Sequence, residues 1–382
     1  MDLERKKRIQ SWSVIAIFCG LIYGFGTALM IKTPSAFSET ENRVLRQRPN
    51  VEWEAIVNGS FEEDYEEYLT DQFVLRDRWI GMKTFVEKLC LKSESKDIYF
   101  ARDDYLIEKH TGVFTTDLAE RNIQTLAEMI DNYYDRFKDG HMTVMIVPNA
   151  VDILEDKLPA FASPCDEELY LEKAASLLPE GVWMDASSVL RNHAEEELYY
   201  KTDHHWRTLA AFYVYQEWAK RQGDVCPDIT DYKIRKVTDS FEGTIQSKLG
   251  IRTGGDRIEL FLPAQESFYT VSWDGEEHDS LYDYGALETK DQYGIYFGGN
   301  HSLVQIRTAA ESGRSILVIK DSYANCFIPF MLKEFDVIDV IDFRYTNSRL
   351  SELVEEGGYS DLLILYNAAG FAEDMNIRRL IN

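Results

Sequence analysis

"SILVIKDSYANCFIPFM", residues 315–331, is the stretch on which the fold turns. Ser315–Lys320 is apolar apart from its ends and reads as a buried strand, which stops at Asp321-Ser322. A helix is predicted immediately after it, from Ser322 to Glu334. Ser322 then falls on a strand-to-helix turn at the C-terminal edge of a sheet. The unpaired N–H groups of a helix start can stabilise an oxyanion there, and a hydroxyl in that position suits a nucleophile. A plain helix cap is the competing reading, because Asp and Ser are the commonest capping residues.

The flanking sequence repeats the same rhythm. Downstream come a strand "VIDVIDF", a helix over about Ser348–Glu356 and a strand "LLILYN". Upstream, "HMTVMIVPNA" (141–150) suits a strand of a parallel sheet. Helical "DEELYLEKAASLLPEG" then leads to a short apolar piece, "VWMDA". A long amphipathic helix with Thr116 or Asp117 as N-cap and Glu120 in a box-like position precedes these, and another runs from about Arg207 to a C-terminal Gly223. Strands alternating with helices predict an α/β fold: a parallel sheet flanked by helices, with its site at the C-terminal strand ends. "DIYFARDDYLIE" reads as a short hairpin around Arg102–Asp104. Residues 232–306, Gly-rich and alternating, read as a β-rich insertion, and helical periodicity fills much of the segment from Phe61.

The chain has 382 residues, 45% of them hydrophobic, enough to bury a large core. Its net charge of −25 is uneven: Met1–Lys32 carries +3, leaving −28 on the remainder. So acidic a surface repels phosphate backbones and excludes nucleic acid as the expected partner. The basic "RKKR" precedes an uncharged, mainly apolar run from Ser11 to Ile31, long enough to cross a hydrocarbon core of about 30 Å. The positive-inside rule keeps residues 1–10 cytoplasmic and places the C-terminal bulk outside. An uncleaved anchor at 11–31 is favoured over a signal peptide, because the run is long and its exit offers a poor cleavage site. Residues 32–60 then read as a linker and 61–382 as one extracytoplasmic catalytic domain. The five cysteines show no paired spacing; one or two disulfides among Cys90, Cys165, Cys226 and Cys326 stay open.

"KTDHHWR", residues 201–207, sets Asp203, His204 and His205 side by side in a chain with seven histidines. A serine nucleophile needs an imidazole base oriented by a carboxylate. In extended backbone residues i and i+2 project to one side, so Asp203 and His205 can converge, with His204 as second choice. A metal site would need three or four convergent ligands, and the remaining histidines are scattered without ligand spacing. No metal or cofactor is expected. Histidines satisfied in a packed corner beside Trp206 stay open as the plainer alternative.

"YYKTDHHWR" followed by a helix, together with "LVIKDSYANCFIPF", resembles the DHHW protein family, related to the alginate O-acetyltransferase group with its SGNH-hydrolase-like fold. The resemblance extends to "SETENRVLRQRP", "DQFVLRDRW", "IVPNAVDILEDKLP", "FEGTIQSK" and "DLLILYN". It implies Ser322 as nucleophile, His205 as base and Asp203 as orienter, in an order permuted from ordinary SGNH hydrolases. It also offers Arg344 and Tyr345 as positional candidates for substrate binding. For the oxyanion, the Ser322 N–H is the first donor, and Gly298, Gly299, Asn300 and Asn367 are candidates that could equally be turn residues. The implied function is a membrane-anchored, extracytoplasmic O-acetyltransferase acting on a cell-surface polysaccharide, its acetyl groups handed over by a polytopic membrane acyltransferase. A carbohydrate esterase with the same triad and a non-catalytic polysaccharide-binding or assembly protein are the alternatives.

Overall fold

The computed structural model describes residues 3–38, 43–137, 141–163, 166–265 and 267–381. The chain divides into two compact units: Met1–Cys90 with Lys248–Ile251, and Leu91–Ser247 with Arg252–Asn382.

The first unit begins with a helix, Leu3–Ile31, of which Arg5–Ile31 is long and apolar enough to cross a membrane and holds no fully buried residue. Its serine and threonine hydroxyls are satisfied internally: Ser11, Ser13 and Thr27 each donate to the carbonyl four residues earlier. That is the arrangement a helix without water around it requires. Residues 32–60 contain a two-residue ladder between Phe37–Ser38 and Arg43–Val44 and a short helix, Trp53–Asn58. The helical periodicity from Phe61 forms two helices, Ser60–Asp71 and Arg76–Leu89. They are separated at Leu75, whose φ of 58° is left-handed.

The second unit is built on a seven-stranded sheet. From one edge its strands are Glu276–His278, Tyr269–Trp273, Leu303–Thr308, Val337–Ile341, Ser315–Lys320, Asp361–Asn367 and Met142–Val147. The last four run parallel. The first three are antiparallel, so the sheet is mixed rather than wholly parallel as expected. Side-chain alternation explains why the parallel strands read as continuous apolar runs: Ile316 and Val318 enter one core cluster, Leu317 and Ile319 the other. The helix Thr208–Gln222, ending at Gly223 with φ 77°, packs in the first cluster; the helix Asp117–Tyr133 packs in the second.

Three other expectations are corrected. The β-rich segment 232–306 is not a free-standing insertion, because Tyr269–Trp273, Glu276–His278 and Leu303–Thr308 extend the main sheet. Only Tyr232–Phe241 and Asp256–Pro263 form a separate hairpin. The helix predicted from Ser322 is instead two 3-10 segments, Ser322–Cys326 and Ile328–Lys333. Pro329 lacks the N–H that an α-helix would direct at residue 325. Thr116 does cap the helix after it, accepting from the Ala119 N–H, but Glu120 turns to Lys173 and Gln124 rather than closing a box. Cys19, Cys90, Cys226 and Cys326 are unpaired, and Cys165 lies outside the described residues.

One buried acid links the parallel edge to the loop beyond it. Glu167 is 0% exposed, and its Oε1 accepts the Asn149 N–H at 2.5 Å. Burial raises its pKa to about 8. Folding therefore takes up a proton between the ordinary carboxyl range and that value. The stability from the protonated form is fully present below the ordinary carboxyl pKa and is lost as pH rises towards 8. Chemical denaturation between pH 5 and 9 should show stability falling with pH, and Glu167→Gln should flatten that slope.

Candidate active site

The segment Lys201–Arg207 is an irregular loop held at both ends. At its start the Lys201 and Thr202 N–H groups donate to Asp256 at 2.9 and 2.8 Å, and the Thr202 hydroxyl donates to the same carboxylate at 2.6 Å. At its end the Arg207 N–H donates to the Leu198 carbonyl at 2.7 Å. Trp206, 0% exposed, is fixed from the other side of the fold. Its indole N–H donates to the Tyr323 carbonyl at 2.8 Å, and the Tyr323 hydroxyl returns a bond to the His204 carbonyl at 2.5 Å.

Ser322 begins the 3-10 turn after its strand, and Asp321 before it is buried and bonded on both oxygens. Oδ1 accepts the Tyr323 N–H at 2.9 Å; Oδ2 accepts the Asn367 N–H and side-chain amide at 2.8 and 2.6 Å. Those bonds tie the ends of two adjacent parallel strands together and hold the turn between them.

The two segments meet at Ser322. His205 Nε2 lies 2.7 Å from Ser322 Oγ, and His205 Nδ1 lies 2.6 Å from Asp203 Oδ1. Asp203 is further fixed by the His205 N–H on Oδ1 and by the Thr244 N–H and hydroxyl on Oδ2. Tyr293 stacks on the His205 ring at 3.8 Å between centroids. Asp203 and His205 are buried; Ser322 is partly exposed. His204 turns to Thr244, its Nδ1 2.9 Å from the hydroxyl, and lies over His205 at 3.9 Å between rings.

Burial by itself would raise the Asp203 pKa, but the neighbouring His204 and His205 rings and its hydrogen bonds hold it below the ordinary carboxylate range. Burial lowers the His205 pKa to about 4, helped by His204 and opposed by Asp203. The resting arrangement is therefore an ionised Asp203, a neutral His205 and a serine hydroxyl donating to its Nε2. Such a chain can take a proton from Ser322 as its oxygen attacks a carbonyl and return it to a leaving group. Nδ1–H is held on Asp203, which fixes the tautomer.

Asp203, His204 and His205 also bring three metal-ligand atoms within 4.8 Å of one another. Both His205 nitrogens are hydrogen-bonded already, to Asp203 and Ser322, so a metal there would have to displace the bonds that define the site.

The remaining candidates fall in different places. The Ser322 N–H donates to no group among the described residues. Gly298 and Gly299, with φ of 72° and 121°, make a left-handed turn. Asn300, beyond them, accepts from Lys320 Nζ at 3.0 Å and from the Asn325 amide at 3.3 Å. Arg344 forms a two-pronged pair with Asp342, which is 0% exposed and also lies 3.5 Å from Lys320 Nζ. Its charge reaches the site, adding to the depression of the His205 pKa. Tyr345 is 55% exposed beside it. Asn367 is corrected as an oxyanion donor: it is buried and its amide is bound to Asp321, so it braces the turn.

Sequence reasoning assigned no role to Thr244, Tyr293, Asp256, Lys320 or Gly243. Gly243 carries the clearest physical requirement. A Cβ there would lie 2.3 Å from the Asp203 Cβ and 2.5 Å from the Thr202 carbonyl oxygen. The motif "FEGT" contained that signal without its meaning.

A family model described as "DHHW protein" matches residues 123–341. A DHHW family protein from Eubacterium siraeum superposes with a TM-score of 0.58 at 21% identity, covering 75% of this chain and 95% of that one. Bacillus cereus PatB1, solved with a sulfonyl adduct, gives 0.60 at 18% identity, covering 73% and 96%. The O-acetyltransferase domain of Pseudomonas putida AlgJ gives 0.41 at 12% identity, covering 72% and 92%. At these identities the likeness to the first two is one of fold. Among curated proteins no sequence relative matches.

Two outcomes test the geometry. Gly243→Ala should leave the protein folded but slow acylation of Ser322 by p-nitrophenyl acetate by about 100-fold, the scale of a 1 Å misplacement; an unchanged rate would remove Asp203 from the mechanism. Because only neutral imidazole accepts the serine proton, the rate should rise with pH through a midpoint near 4, not 6.5. Stopped-flow measurement from pH 3.5 to 8 reads that midpoint.

Proposed function

The chain belongs to the DHHW protein family, and on that premise we propose that it is a membrane-anchored O-acetyltransferase of a cell-surface polysaccharide. The observation that carries this reading is the unbroken chain from Asp203 through His205 to Ser322, with contacts of 2.6 and 2.7 Å. Ser322 Oγ attacks the acetyl carbonyl of a donor while its proton passes to His205 Nε2. The Asp203 carboxylate stabilises the imidazolium, and the Ser322 N–H faces the developing oxyanion. Collapse of the adduct expels the donor's leaving group, which takes the proton from His205. A sugar hydroxyl then attacks the acetyl-serine, losing its proton to His205, and the departing Ser322 oxygen recovers it.

The partly exposed Ser322 leaves room for an acceptor, and Arg344 and Tyr345 stand within the reading as residues for binding it. The positive-inside argument puts the unit that carries the site outside the membrane, where cytosolic thioesters are absent. A polytopic membrane acyltransferase is the corresponding source of acetyl groups.

Intact-mass spectrometry of the full chain tests both the nucleophile and the acceptor. A sulfonyl fluoride should add to wild type and not to Ser322→Ala. Its rate should fall by about 1,000-fold or more in His205→Ala and in Asp203→Asn. Equal labelling in all four would overturn the triad. With p-nitrophenyl acetate and an acceptor oligosaccharide, acetyl should appear on the sugar; release as free acetate alone, unchanged by the sugar, would make the protein an esterase.

A further inference from the structure

We propose that the helix Arg76–Leu89 is a second membrane contact, lying in the lipid interface with its apolar stripe against the bilayer that holds the N-terminal anchor. This rests on the reading of Arg5–Ile31 as a membrane span.

The stripe consists of Trp79, Met82, Phe85, Val86 and Leu89, within an arc of about 120° at 3.6 residues per turn. These five side chains are between 41% and 72% exposed in the whole chain, an unusual amount of contiguous apolar surface to leave in water. The opposite side of the helix is already occupied. The Thr84 hydroxyl donates to the Leu249 carbonyl at 2.7 Å, and Gly81 lies so close to Gly250 that a Cβ would come 2.2 Å from its carbonyl oxygen. The helix is thus fixed with its stripe facing outward.

Lipid is the occupant because the stripe is continuous with the anchor. Phe25, within the apolar helix, contacts Trp79 edge-on at 5.7 Å and stacks on Phe73 at 5.5 Å. Lys32, just past the helix end, donates to the Gln72 carbonyl at 3.1 Å. Phe25 lies six residues before Ile31, about 9 Å inside the end of the span at 1.5 Å per residue. A ring touching it there sits at the depth where interfacial helices bury their apolar faces, about 5–10 Å into the headgroup boundary. Charge agrees: the helix carries Arg76, Arg78, Lys83 and Lys88 against Asp77 and Glu87, a net +2, in a chain of net charge −25. Anionic headgroups would attract it, and Trp is at home in that layer.

The test uses the full chain, with its native cysteines replaced, in phosphatidylcholine–phosphatidylglycerol vesicles. A single cysteine carrying a nitroxide is placed at Met82, Phe85 or Leu89 on the stripe, at the exposed Lys83 off it, or at Ile22 in the anchor. Electron paramagnetic resonance then compares accessibility to oxygen, which partitions into lipid, and to a nickel chelate, which does not. Stripe positions should favour oxygen by several-fold and position 83 the chelate. Stripe positions open to the chelate, with Ile22 still protected, would overturn the interfacial helix and keep the anchor; Ile22 open as well would overturn both. Stripe positions shielded from both reagents, or with spin–spin broadening between copies, would mean that protein covers the stripe and would overturn the lipid contact.

Discussion

The site depends on a reciprocal pair of hydrogen bonds between segments more than a hundred residues apart: Trp206 donates to the Tyr323 carbonyl and Tyr323 to the His204 carbonyl. Both side chains are wholly buried, so neither bond competes with water, and breaking either would strand a polar group in the core. The first bond fixes the residue after His205 to the residue after Ser322, and the second fixes the residue before His205 to the same tyrosine. With both backbones held, the 2.7 Å approach of His205 to Ser322 follows from the frame. The fourth letter of "DHHW" is thus a structural member that sets the distance between the second histidine and the serine.

Around that frame, charge is arranged by burial. Asp203 keeps its charge because the hydrogen bond from the His205 ring, the neighbouring His204 and the Thr244 donors compensate its burial. His205 stays neutral because desolvation under the Tyr293 ring outweighs the pull of the aspartate. Asp321, one residue before the serine, is used differently: it is bonded to the backbone of its own turn and to Asn367 on the neighbouring strand. Two acid-containing pairs, Asp-x-His and Asp-Ser, therefore divide the work, one holding the His205 ring and the other bracing the turn at Ser322.

Much of this was legible along the chain. The apolar runs at 142–147, 315–320, 337–341 and 361–367 are strands because each is buried on both faces, and burial on both faces writes a continuous apolar signal. Asp203 and His205 could be paired from their spacing, since the carboxylate and the imidazole need only the local chain to meet. The long apolar N-terminal helix was legible for a similar reason: a helix with no fully buried residue records its surroundings directly in its composition. The three antiparallel edge strands were read as an insertion because alternation shows that a strand has a solvent face and does not show which sheet it joins. The helix after Ser322 was misjudged because helical spacing of apolar residues does not register the hydrogen-bond change that Pro329 imposes.

By itself the sequence determined the α/β class, the apolar N-terminal helix and the residue types of the proposed triad. These depend on period, length and neighbouring side chains, all of which are local. Only the tertiary structure decided that Gly243 packs where a Cβ would press on Asp203, that Tyr293 covers His205, that Asn367 braces the serine turn and that His205, not His204, reaches Ser322. Each of those facts is a contact between chain segments tens to hundreds of residues apart. Nothing in the local sequence encodes such a contact, because it exists only once two surfaces have been packed to within a few tenths of an ångström.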